Sequence, residues 1–172
     1  MKSIFGKCEI IKDSKGNEYL AIDVPIESCS QYTNFVINKG LIEEVANKNK
    51  RDLDKYHITL INVAQWGSLC KRLMTSSIIN EFVGKEFEFF SYGIGHATKD
   101  ENNSYFIILE NKELQLLRDS LSIGKQDFHI TLGFKNKDVF GVPKDITSLV
   151  FSLEEIFSFQ EKEFTSSLKR KK

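Results

Sequence analysis

The chain contains three histidines, and two of them open the same tetrapeptide, His57-Ile58-Thr59-Leu60 and His129-Ile130-Thr131-Leu132. An aromatic residue precedes each copy, Tyr56 and Phe128. At average residue frequencies, chance follows a second histidine with Ile-Thr-Leu on the order of one time in a thousand. Histidine exchanges protons near neutral pH, so two of them in matched settings can supply a base and an acid to one reaction. On a strand, alternate side chains share a face. His57 and Thr59 therefore point one way, Ile58 and Leu60 the other, and the second copy repeats the arrangement. The Ile/Leu face suits a core, which leaves imidazole and hydroxyl together on the open face. Two such strands side by side would gather two imidazoles and two hydroxyls around one point. A phosphate matches that array, with hydroxyls on its non-bridging oxygens and imidazoles moving protons at the attacking and leaving oxygens. A lone His-x-Thr is most often an edge histidine beside a β-former. For two matched copies the bland alternative is a non-catalytic remnant of duplication.

The elements that must position these groups follow from periodicity. Residues 3–12 and 18–24 alternate as strands around an Asp13–Asn17 turn. A helical pattern runs from Glu27 to about Lys50, with Phe35, Val36, Leu41, Ile42 and Val45 inward and Gly40 a candidate break. The first repeat strand spans 56–63, and a helix over roughly 67–83 is predicted to bury Leu69, Leu73, Ile78, Ile79, Phe82 and Val83 before Gly84. The second half repeats this plan. Strands at 85–96 and 104–110 flank a polar loop, and a helix over 112–122 turns Leu114, Leu116, Leu117 and Leu121 inward ahead of Gly124. The second repeat strand, 127–134, follows, and Ile146–Phe159 has strand character. The prediction is an α+β, bilobal, duplicated fold, with two antiparallel sheets flanked by helices around a central cleft. Residues 1–172 would form one domain of two pseudo-symmetric lobes.

Composition narrows the function classes. Hydrophobic residues make up 41% of the 172 and charged residues 28%, enough for a core and a solvated surface. Lys+Arg and Asp+Glu both number 24, which argues against a uniformly basic nucleic-acid coat but leaves room for a local basic groove. Cys8, Cys29 and Cys70 have no CxxC spacing and fit a reducing compartment. Lys2, Lys7, Glu9 and Lys12 interrupt any N-terminal apolar run, and no stretch approaches a membrane span. The expectation is a cytoplasmic protein, with no membrane partner, acting as a monomer.

The paired His-x-Thr strands resemble the two-histidine (2H) phosphoesterase superfamily, whose members carry two His-x-Thr/Ser motifs followed by an apolar residue. The separation of 72 residues and the intervening helix–strand–strand–helix order are similar to that family. The resemblance runs from residue 3 to about 160. It implies His57 and His129 as the general acid/base pair, without saying which is which, and Thr59 and Thr131 as phosphate-binding hydroxyls. It also implies a metal-independent phosphodiesterase without cofactor, acting most often on a 2′,3′-cyclic phosphate at an RNA end or in a small nucleotide. Nucleases of cyclic or 2′-5′ oligonucleotide signals share this chemistry, and a non-catalytic nucleotide- or RNA-binding module is the other class.

Residues around the motifs carry weaker signals. The histidines lack HxH or HxxxH spacing, so no zinc site is expected. Gly93-Ile94-Gly95 suits a bulge or close backbone approach better than a phosphate loop. His96 is a candidate substrate contact against a surface reading. Trp66 is a candidate base-stacking residue, though core burial is the stronger reading. Tyr56 and Phe128 fall on the packing face. Lys48, Lys50, Arg51, Lys55, Lys135 and Lys137 flank the repeats and would attract a polyanion if they reach a cleft rim. A solvated face is the default, and the Lys169–Lys172 run behind an acidic segment suits a frayed tail.

Overall fold

A computed structural model describes residues 1–159 and 170. Lys169, Lys171 and Lys172 of the basic run, and Glu161 and Glu163 before it, lie outside the described residues. The chain opens with a hairpin of β1 (Lys2–Lys12) and β2 (Glu18–Val24). The Asp13 carboxylate accepts the backbone N–H groups of Lys15 and Asn17 and closes the turn. The predicted first helix is two, α1 (Ile26–Asn38) and α2 (Ile42–Asp52), broken at Gly40 with φ +88°. The direction change leaves Ile42 64% exposed instead of buried.

The first repeat forms β3 (Tyr56–Ile61). The helix predicted over 67–83 is also two, α3 (Val63–Lys71) and α4 (Thr75–Phe82). Asn62 caps α3 in a reciprocal box with Gln65, which starts the helix earlier, at Val63. Leu73 takes a left-handed φ of +56° between them and is 90% exposed, not inward. The second half supplies β4 (Glu86–Lys99), β5 (Asn102–Glu110), α5 (Lys112–Ser120) and β6 (His129–Phe134). Leu116 of α5 faces solvent rather than the core, because the helix is short and buries only one narrow stripe around Leu114 and Arg118. Strand structure in the 146–159 stretch is confined to β7 (Leu149–Ser152), between a 3-10 turn at Ile146–Ser148 and helical residues from 153 to 159.

The strands pair antiparallel in the order β3-β2-β1-β4-β5-β6, with β7 also on β4. The expected two sheets are joined into one, because Lys2–Lys7 of β1 pairs with Glu86–Ser91 of β4 and satisfies both inner edges. Each copy of the motif therefore ends up on a terminal strand. The sheet curls until β3 and β6 lie in contact with each other, although neither pairs with the other in the ladder. Gly93 lies at the expected bulge, φ +133°, where a Cβ would stand 2.3 Å from the Phe151 carbonyl oxygen.

One hydrophobic cluster extends from Ile4 to Ile156 and includes Ile58, Leu60, Ile130 and Leu132. The two Ile/Leu pairs thus anchor the motif strands from behind, as alternation predicts. Against β6, helix α2 comes close enough that a Cβ on Gly133 would meet the Glu44 backbone at 2.8 Å.

Candidate active site

His57, Thr59, His129 and Thr131 all line one cleft of about 1020 Å³. That is room for a nucleotide-sized ligand. The two histidines are held differently. His129 Nδ1 lies 2.7 Å from the backbone carbonyl of Asp127. A carbonyl can only accept, so Nδ1 carries the proton and Nε2 keeps its lone pair. Burial and the adjacent Lys144 ammonium push the His129 pKa down to about 4. Phe106 packs edge-on against the ring.

His57 is half-buried, with Nε2 3.5 Å from the Tyr19 hydroxyl and the two rings edge to face. Burial lowers its pKa, while the Asp52 carboxylate pulls in the opposite direction. Tyr19 shares its strand face with Asp23, which pairs directly opposite His57 across β2 and β3.

The two threonines are unequal as well. Thr131 donates to Asp138 Oδ2 at 3.0 Å, and Thr59 stands half-buried in the cleft wall. Asp138 is a hub. It also accepts from Ser104 at 2.5 Å, Lys144 Nζ at 3.1 Å and Arg51 Nη1 at 3.1 Å. Burial alone would raise its pKa, but Lys144, the Ser104 hydroxyl and Arg51 outweigh that and hold the carboxyl well below the usual range. Lys144 Nζ lies 3.4 Å from His129 Nε2.

Other sequence candidates separate at this point. Arg51 and Lys55 line the cleft, whereas Lys50, Lys135 and Lys137 are not part of its lining. Lys48 is not on a rim at all. It is buried, donates to the Lys55 carbonyl, and sits 3.4 Å over the Tyr56 ring, with burial lowering its pKa to about 8. Phe128 is packed edge-on against Phe89, and Tyr56 is buried with its hydroxyl 3.1 Å from that of Thr33.

Trp66 is 2% exposed in the core cluster, because α3 turns it inward, so its indole offers no face to a base. His96 lies within β4, stacks on Tyr105 at 4.4 Å and does not line the cleft. Sequence reasoning missed Tyr19, Asp138 and Lys144. Alternation along β2 could have shown Tyr19, while Asp138 and Lys144 sit in a connection with no periodicity to read.

Residues 22–140 match the 2H-SAK family, described as Swiss Army Knife, 2H phosphoesterase domain. The chain belongs to the 2H phosphoesterase superfamily. No curated protein and no solved structure matches it. The segment matched to the 2H phosphoesterase domain contains both His-x-Thr copies and Asp138 but ends before Lys144. Among the described residues, no three histidine, cysteine or carboxylate side chains gather as a metal-ligand set. No helix among them is long and apolar enough to cross a membrane.

Proposed function

We propose that this 2H phosphoesterase is a metal-independent phosphodiesterase that opens a 2′,3′-cyclic phosphate in a small nucleotide or at a short RNA end. One observation carries the reading: the two terminal strands of the sheet present both His-x-Thr pairs to one cleft. His129, with its proton held on Nδ1, is the base. Its Nε2 takes a proton from water as the water oxygen bonds to phosphorus. The bond from phosphorus to one ribose oxygen breaks, and His57, protonated in the substrate complex, gives that oxygen its proton. Thr59 donates to a non-bridging oxygen. A proton passing from His129 back to His57 through solvent restores the starting state.

The cleft lining mixes carboxylates such as Glu9, Asp13 and Asp52 with cations such as Lys12, Arg51 and Lys125. A long polyanion needs a continuous basic track, so this lining favours a short substrate. The same reading places the protein in the cytoplasm, where free thiols at Cys8, Cys29 and Cys70 suit a reducing environment.

The test is a product-resolved assay in chelator across 2′,3′-cyclic, 2′-5′ and 3′-5′ substrates. Turnover of the cyclic phosphates is expected, with H57A and H129A each slowed by about a hundredfold or more. Turnover of only 2′-5′ or cyclic oligonucleotides would move the assignment to signal degradation. No turnover of any substrate would leave a nucleotide-binding module.

A further inference from the structure

The site has a third polar group that the paired motif does not account for. Lys144 is 4% exposed, yet it lines the cleft. Its ammonium has three N–H groups. One reaches Asp138 Oδ1 at 3.1 Å, and a second points at His129 Nε2 at 3.4 Å. The Phe106 and Phe140 rings flank it at 5.4 and 5.5 Å. A buried lysine is costly unless paired, and Asp138 provides the pair. Asp138 also takes the one proton that Thr131 could offer. A threonine hydroxyl has a single O–H, so while it donates to Asp138 it cannot donate to a phosphate oxygen. The second motif therefore lacks the donor that the first motif has in Thr59, and a cation stands in its place.

We propose that Lys144 is a phosphate-binding catalytic residue of this chain, supplying to a non-bridging oxygen the donor that Thr131 has committed to Asp138. The catalytic half of this statement rests on the phosphodiesterase reading above, whereas the anion-binding half does not. On substrate entry the N–H aimed at His129 Nε2 turns to the phosphate oxygen. That exchange frees the imidazole lone pair for water while the charge stays within reach of the developing negative oxygen. Before substrate arrives, the same ammonium disfavours protonation of His129 and so keeps the base neutral. Asp138 accounts for the lysine holding its position, because its carboxylate favours the charged form of Lys144 against the burial that opposes it.

The experiment compares the unsubstituted protein with K144M and K144Q in two readouts. Calorimetric titration with inorganic phosphate needs no turnover, and steady-state kinetics follows hydrolysis of a nucleoside 2′,3′-cyclic monophosphate. Expected are a loss of phosphate affinity of about tenfold or more and a fall in kcat/KM of about a hundredfold. K144R, which keeps the charge but changes its shape, should recover part of both. If neither neutral variant folds, the Lys144 Cε–Hε NMR signal of the unsubstituted protein should shift on phosphate titration. Phosphate binding that depends on Lys144 without any turnover would reject the phosphodiesterase reading and leave the anion site standing. Phosphate binding unchanged within threefold in K144M or K144Q, no phosphate binding by the unsubstituted protein, or a Lys144 signal unmoved by phosphate would overturn the proposal.

Discussion

Arg118 Nη1 donates to the backbone carbonyl of Leu60 at 2.6 Å, inside the core. The same guanidinium donates to the carbonyls of Gly124 and Ile123 and to Gln65 Oε1. It thereby ties the end of the first motif strand to the segment that leads into the second. Removing it would leave the buried Leu60 carbonyl without its donor, at about 1–3 kcal/mol if unsatisfied, and would break the part-buried bonds to Gly124, Ile123 and Gln65. R118M is expected to lose about 3 kcal/mol of stability, read as a lower urea midpoint at unchanged slope. An unchanged midpoint would show that the tie is dispensable.

The pH–rate profile follows from the two unlike histidines. As the proposed base, His129 must be neutral, which holds above about 4. As the proposed acid, His57 must be protonated, which in the free protein requires a pH below its lowered pKa, under the ordinary 6.5. A bell-shaped kcat/KM with its maximum on the acid side of pH 6.5 is expected, its two apparent pKa values belonging to the pair. A rate that keeps rising through neutrality would contradict the assignment.

Stability should carry the same signature. An unfolded chain takes a proton at His129 near the ordinary 6.5, and the folded chain only near about 4. The unfolded state therefore binds more protons in that window, and stability rises with pH across it. The stabilisation is complete above the unfolded pKa and is lost as the pH falls through the folded one. The effect is on the order of 3 kcal/mol, and the lowered His57 adds in the same direction. Urea midpoints between pH 4 and 8 should show the slope, and H129Q should flatten it. Equal slopes in the two proteins would rule out His129 as the source.

Gly133 is where β6 allows α2 to approach, and a methyl group there would lie 2.8 Å from the Glu44 backbone. G133A is expected to cost about 2 kcal/mol through overpacking, visible as a lower melting temperature. Because β6 carries His129 and Thr131, kcat should fall in the same variant by more than the folded fraction explains. Melting and turnover like those of the unsubstituted protein would show that the helix can yield.

What the local sequence determined is what depends on neighbours in the chain. The repeated tetrapeptide, with period-two alternation, put Ile58, Leu60, Ile130 and Leu132 in the core and the four polar groups on the other face. Glycine at position 40 was readable as a break for the same reason, since its backbone alone permits the left-handed turn. The break at Leu73 was not readable, because a leucine in that conformation is held by its surroundings rather than by its own preference. Only the tertiary structure joined two expected sheets into one, through the long-range pairing of β1 with β4. It also set the two histidines apart, by bringing the Asp127 carbonyl to Nδ1 of His129 and the Lys144 ammonium to its Nε2. The threonines read identically in sequence and differ in the fold, because Asp138 reaches only Thr131. A hydrogen-bond partner brought in by an irregular connection leaves no periodic trace, so that asymmetry exists only once the chain has folded.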